Sequence, residues 1–310
     1  MTQVLAAGAA QEKQTRHAPR RRRRRGALVN LLYVPVLLLF AVFTVYPLLR
    51  GVGLSFTNWD GYSPDQAFVG MANYLRLLTD STFHAVLLNT LIYGVGSTII
   101  QQILGLALAV ALDRPTRSRS VARAIIYLPV LVSPVIMGTM YYLLFQYNDG
   151  TFNDIMVALG GQRTAWLSNP GVATAIIVVV NSLQFTGISM IIYLAGLQSI
   201  PGEYYEASSL DGATGWKQFT NITVPLLQPA FAASIVLNLI GGLKLFDVIK
   251  VLTAGGPGYS TNSVSTLISV AYFDDQTAGY ASAMGVVLFA LIIVVSLSVN
   301  AALNRRRLEA

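Results

Sequence analysis

The chain has 310 residues, of which 54% are hydrophobic and 11% charged, with a net charge of +7 and no cysteine. This composition excludes an ordinary soluble globule, and the missing thiols exclude disulfides, thiolate metal ligands and cysteine catalysis. Two histidines give no basis for a metal site, and the positive excess flanks apolar segments, where it orients a membrane protein and does not mark a nucleic-acid surface.

Residues 1–25 are polar and basic and end in the run Arg20 to Arg25. They lack the short apolar core and small-residue cleavage site of a secretory signal, so they read as a cytoplasmic tail. Residues 26–304 read as one transmembrane domain and 305–310 as a second cytoplasmic tail. Apolar segments at 28–50, 85–112, 121–145, 171–198, 227–250 and 280–303 each hold 20 or more residues. At about 1.5 Å per residue each exceeds a hydrocarbon layer of roughly 30 Å, which predicts an all-α, polytopic membrane protein with six transmembrane helices. Of the 21 Lys and Arg, 16 fall in the N-terminal tail, the 113–123 loop, the segment around Lys217 and the last residues. Both termini and residues 200–225 are therefore expected on the cytoplasmic side.

Pro35 and Pro47 in the first segment, and Pro129 and Pro134 in the third, remove backbone donors and predict kinks. The outer segments 51–84, 146–170 and 251–279 carry turn pairs such as Asp60-Gly61 and Gly256-Pro257 together with Trp59 and Trp166. They read as short structured caps, with aromatic residues at the membrane interface.

Between the fourth and fifth segments lies a polar island. Pro201 suits a first helical turn, Asp211-Gly212 ends it, and Thr214 caps a second short helix, so the stretch reads as a cytoplasmic two-helix elbow. Tyr204, Ala207, Ser208 and Asp211 share one face of the first helix, with two small residues at its middle. Such a face fits a groove on another protein. Glu206-Ala207-Ser208, Asp211-Gly212-Ala213, Ile222 and Pro225 resemble the E-A-A, D-G-A and I-x-x-P elements of the coupling loop in permease subunits of bacterial ATP-binding-cassette importers. Leu197 to Pro201 before the elbow and Leu252 to Pro257 after it are similar to the maltose and multiple-sugar branch.

The fourth segment places Asn181, Gln184 and Ile188 on one face with Phe185 beside them, and the fifth places Asn238, Gly241, Gly242 and Leu245 on another. Counted from the elbow, Gln184 and Asn238 stand at about the same height, roughly 20 Å, so the two stripes are expected to line one cavity suited to a polyhydroxylated ligand. Interhelical hydrogen bonding and close helix packing account for the same residues equally well. The resemblance implies the cavity, because the family's sugar-contacting positions fall on Gln184, Phe185, Ile188, Asn238, Gly241, Gly242, Leu245 and Val248. Gly241 and Gly242 stand where the family has larger or polar contacts, and Pro134 where it has a serine. Lys244, Asp247 and Lys250 follow at i, i+3 spacing and are expected to pair with one another; alternatively Lys244 faces the path and favours an anionic ligand such as a sugar phosphate.

No G-x-x-x-x-G-K-[ST] sequence occurs, and no catalytic or metal-ligating set lies within the helices. The chain is expected to be a transport subunit, not an enzyme, and to bind no cofactor itself. The resemblance implies a multi-pass protein of the bacterial inner membrane that imports sugars or oligosaccharides by alternating access. It implies as partners a second permease chain, two ATP-binding subunits that hold ATP and Mg, and an extracytoplasmic solute-binding protein. Import of a sugar phosphate or another small solute by the same machine is one alternative. A secondary transporter or a membrane scaffold is another, and the central spans lack the Asp, Glu and His that ion coupling favours.

Overall fold

The computed structural model describes residues 33–304 apart from Pro115. The basic run Arg20 to Arg25 and the tail 305–310 lie outside the described residues. Among the described residues the chain is all-α, with one isolated antiparallel bridge between Thr57 and Phe68. The described residues divide into two units, 33–50 and 51–304. Helix α1, Tyr33–Leu54, starts in the first unit and carries a π turn at Ala41–Val45. The π turn re-routes the hydrogen bonding just ahead of Pro47, so neither Pro35 nor Pro47 breaks α1. None of residues 33–50 is buried, as suits a surface whose solvent is lipid.

In the second unit come α2 (Ala72–Thr79), α3 (Ser81–Leu112), α4 (Arg117–Leu131), α5 (Pro134–Leu144), α6 (Thr151–Ala158) and α7 (Pro170–Gln198). The elbow follows as α8 (Gly202–Leu210) and α9 (Gly215–Leu226), then α10 (Gln228–Leu243), α11 (Asp247–Leu252), α12 (Val264–Asp274) and α13 (Ala278–Asn304). Among the described residues four helices are long and apolar enough to cross a membrane: α1, α3, α7 and α13. The count reaches six when the bent pairs α4–α5 and α9–α10 are each taken as one span.

Two segments expected as single helices are broken. The third bends by 95° between Leu131 and Pro134. Pro134 supplies no N–H and disfavours helical backbone at Ser133, so the helix stops and restarts there instead of kinking. The fifth segment stops at Leu243, and α11 starts anew at Asp247. Ser263 donates its hydroxyl to the Leu245 carbonyl left free in that break, at 2.6 Å.

The core is the contact of α3 with α7. Gly105 lets the two backbones meet, since a Cβ there would lie 2.4 Å from Ser189 Cβ. Gln101 donates to the Asn181 carbonyl and Ser182 to the Ser97 carbonyl across the same seam. Lipid supplies little apolar driving force between helices, so small residues and interhelical hydrogen bonds do this work. Both helices begin with side-chain caps: Asp80 accepts from the Thr82 and Phe83 amides, and Asn169 from those of Gly171 and Val172.

At the end of the spans away from the elbow, residues 253–263 fold back among the helices. Asn89 donates to the carbonyls of Ser260 and Asn262, Tyr93 donates to that of Thr261, and Thr90 accepts from the Val264 amide. Thr261, Asn262 and Ser263 are thereby buried without losing most of their polar partners.

Candidate functional site: the elbow and the mid-membrane residues

The elbow is two short helices joined at Gly212, whose φ of +75° only glycine adopts without strain. A Cβ there would meet no atom within 4 Å, so the requirement is backbone conformation and not space. The Gly212 amide donates to the Ser209 carbonyl and the Ala213 amide to the Ser208 carbonyl, which closes α8. Thr214 stands at the start of α9 as expected, without a side-chain capping bond.

Gln218 ties the two helices together. Its Nε2 donates to the Tyr205 carbonyl, the Ser208 hydroxyl and the Ser209 hydroxyl at 3.2, 3.0 and 2.9 Å. Tyr205 in turn shares a hydrogen bond of 2.9 Å with Thr223. These bonds make α8 and the start of α9 one rigid piece. Ser208 is thus turned inward, while Tyr204, Ala207 and Asp211 remain on the exposed face. Glu206 is exposed and enters no ion pair within the described residues.

Leu210 and Trp216 stand beside that face with 90% and 73% of their surface exposed. The sequence reading passed over both, together with Tyr205 and Gln218. A leucine and a tryptophan inside a polar island were the available signal, since large apolar groups outside the lipid mark contact surfaces. Ile222 and Pro225 are half-buried where the elbow meets the spans. Pro225 lines a groove of about 720 Å³ with Val224, Gln228, Phe231 and Ile235.

The two stripes do not stand at the shared height expected of them. Asn238 donates to the Ser189 hydroxyl at 2.7 Å, which sets it level with Ser189 and about 7 Å nearer the elbow than Gln184. The 65° bend between α9 and α10 shortens the climb that a straight helix would make from the elbow. Gln184 is fully buried and donates to the Val132 carbonyl at 3.1 Å. Asn181 is buried against α3, with its own carbonyl accepting from Gln101.

Gly242 is a packing contact, because a Cβ would fall 2.8 Å from Gly94 Cα. Leu245 lies past the end of α10, and Val248 on α11 is wholly buried in an apolar cluster with Tyr93, Ile177 and Ile249. Three of the expected path residues have open surroundings: Phe185 and Ile188 are half-buried, and Gly241 faces space with no atom within 4 Å of a Cβ.

Lys244, Asp247 and Lys250 are not the self-paired row expected of one helix. The break after Leu243 separates Lys244 from the other two, and among the described residues the one ion pair is Arg163 with Asp154 at 3.0 Å. Lys244 and Lys250 are exposed and Asp247 is half-buried.

The chain matches the family model described as the binding-protein-dependent transport system inner membrane component over residues 101–309. It is 34% identical to the trehalose/maltose transport system permease of Thermococcus litoralis, across 87% of this chain and 91% of that one. It is 33% identical to the multiple sugar-binding transport system permease of Streptococcus mutans over 86% of this chain and 91% of that one. Among solved structures it superposes on a chain of a bacterial ATP-binding-cassette transporter that imports the acidic polysaccharide alginate. The TM-score is 0.79 at 25% identity, over 91% of this chain and 96% of the other.

Proposed function

The chain belongs to the inner-membrane components of binding-protein-dependent transport systems and is a permease subunit, not an enzyme, and from that premise we propose that the cargo it passes is a sugar or oligosaccharide. The observation that carries this reading is similarity to sugar permeases along nearly the whole of both chains. The complex then contains a second permease chain, two ATP-binding subunits holding ATP and Mg, and a solute-binding protein on the outer side. Both termini and the elbow face the cytoplasm, with the domain bounded by tails at 1–25 and 305–310.

Glu206, Ala207, Asp211 and Ala213 present the elbow to an ATP-binding subunit, with Tyr204, Leu210 and Trp216 as its apolar contacts. Ser208 and Gly212 keep its shape, and Ile222 and Pro225 pass its movement to α10. Closure of the ATP-binding pair pushes one rigid lever, and the spans change access from one side to the other. Phe185, Ile188 and Gly241 line the path, with Asn181 and Asn238 behind them.

A second reading has one observation in its favour. Lys244 follows directly on the last residue of α10, about 24 Å along the helix from Gln228, and is exposed without an ion pair. A charge at that depth faces water or a partner protein, not lipid. Its ammonium suits an anionic sugar, and the solved relative imports an acidic polysaccharide.

The test is affinity isolation of the tagged chain from native membranes, followed by a ligand screen of the solute-binding protein that comes with it. A neutral oligosaccharide as the best ligand supports the first reading, and a sugar acid or sugar phosphate the second. Recovery of the chain without an ATP-binding subunit, under conditions that preserve a known importer, would overturn the assembly.

A further inference from the structure

Gln184 meets the third span at the point where that span is broken. Val132 ends α4 with an extended backbone, and its carbonyl has lost the amide four residues on that a continuous helix would supply. The Gln184 amide takes that place from α7, at 3.1 Å. One turn further along α7, Gly187 fits so closely against α4 that a Cβ would stand 3.0 Å from the Ile126 carbonyl oxygen and from Tyr127 Cα. So α7 and α4 are locked together. Beyond the break the contacts change partner: a Cβ on Gly138 of α5 would lie 3.1 Å from the Val251 Cβ of α11. The α11 helix itself begins after the second break, at Lys244 to Phe246. The two pieces beyond the breaks, α5 and α11, are packed on each other, and Val248 and Ile249 of α11 also pack against Tyr93 of α3 and Ile177 of α7.

The two breaks are closed differently. At the second, the Ser263 hydroxyl bonds the Leu245 carbonyl inside a cluster that also pairs it with Thr266. At the first, Gln184 gives its N–H while its Oε1 is buried without a partner. The first break is thus held across the helices by one amide hydrogen bond, and the second by a cluster, so the first has fewer bonds to undo.

We propose that Gln184 is a positioning residue for transport, a releasable latch that holds the bend between α4 and α5 in the arrangement seen here and lets go as the pieces beyond the breaks move. This rests on reading the chain as an alternating-access permease. It assigns Gln184 to the hinge and not to contact with the solute.

The test uses the whole importer in lipid nanodiscs. The chain has no cysteine, so Ile125→Cys on α4 and Met140→Cys on α5, both more than half exposed, accept spin labels on the two sides of the break once any cysteines of the partner subunits are replaced. The wild type is expected to show one narrow distance without nucleotide and a second with trapped ATP. Gln184→Leu, of similar volume, is expected to lose the narrow first distance and to raise ATP hydrolysis severalfold in the absence of the solute-binding protein. If that variant fails to assemble, Gln184→Asn, whose amide is one methylene too short to reach Val132, is read in its place and is expected to do the same. A variant complex with the wild-type distance and wild-type basal hydrolysis overturns the latch. So does a wild-type break that keeps one distance while the same complex carries out ATP-driven uptake, an outcome that leaves the transport reading intact. Absence of ATP-driven uptake by the wild type defeats the transport reading on which the latch rests.

Discussion

At the elbow Leu210 and Trp216 are 90% and 73% exposed, whereas at the opposite end of the spans the polar residues Thr261, Asn262 and Ser263 are buried. Each end inverts the usual rule for side chains, and the inversions have different causes. The loop at that opposite end is drawn inside by hydrogen bonds from Asn89, Thr90 and Tyr93 on a neighbouring span, which replace the water that its backbone loses. The elbow is tied only to itself, through Gln218 and Tyr205, and its apolar groups are left for another surface. The end away from the elbow therefore fixes how the spans pack, and the elbow presents a preformed shape. Substitutions should separate the two, costing stability at the first and coupling at the second.

The largest effect is expected where packing is tightest. Gly242→Val places a side chain against the Gly94 backbone and should cost about 3 kcal/mol, seen as loss of a monodisperse, detergent-stable complex. The adjacent Gly241→Val meets open space and should leave the thermal midpoint within a degree or two, so equal damage from both would show that the packing assigned to Gly242 is wrong. Next comes the loop away from the elbow. Asn89→Ala frees the carbonyls of half-buried Ser260 and buried Asn262, for about 1–2 kcal/mol, and hydrogen exchange should rise across residues 253–263 while the elbow exchanges as before. Gly212→Val comes third. A branched residue at φ +75° costs roughly 1–2 kcal/mol locally, so folding and insertion survive while ATP-driven uptake drops tenfold or more. Uptake equal to wild type at equal expression would remove the lever role.

The legible parts of the chain were those where a local rule decides. The spans α3, α7 and α13 follow from apolar length, and the elbow turn follows from Asp211-Gly212, because a positive φ leaves few other residues possible there. The prolines pointed to the third-span break, although not to its size. The fifth span misled, since Gly241-Gly242, the one stop signal before Leu243, serves equally as a close helix contact. The stop is held by Ser263 bonding the Leu245 carbonyl, an interaction between residues 18 apart that periodicity does not see. The same limit applies to the mid-membrane residues. Asn238, Gln184 and Gly242 carry the chemistry of a sugar cavity and of helix packing alike, and only their partners, Ser189, Val132 and Gly94, distinguish the two.

The smallest expected effect sharpens the side of the comparison away from the elbow, through pH. Asp80 caps α3 through Oδ1 and accepts the Tyr280 hydroxyl at 2.6 Å through Oδ2, which links the start of α3 to α13. Burial pushes this carboxyl up, and the hydrogen bonds from Tyr280 and from the Phe83 and Thr82 amides outweigh it, so its pKa lies below the ordinary value. A depressed native pKa contributes stability that is complete above the unfolded value, about 3.9, and is lost as pH falls through the native one. Asp80→Asn keeps the capping oxygen and loses the charge. It should lower stability at pH 7 by less than about 1 kcal/mol and should abolish this part of the acid sensitivity. Thermal unfolding of both proteins in detergent from pH 7 down to pH 3 reads the difference directly. The two midpoints should converge in the most acid samples, because protonation then removes from the wild type what the substitution has already removed from the variant; curves that stay parallel would mean that the Asp80 charge does not hold this end together.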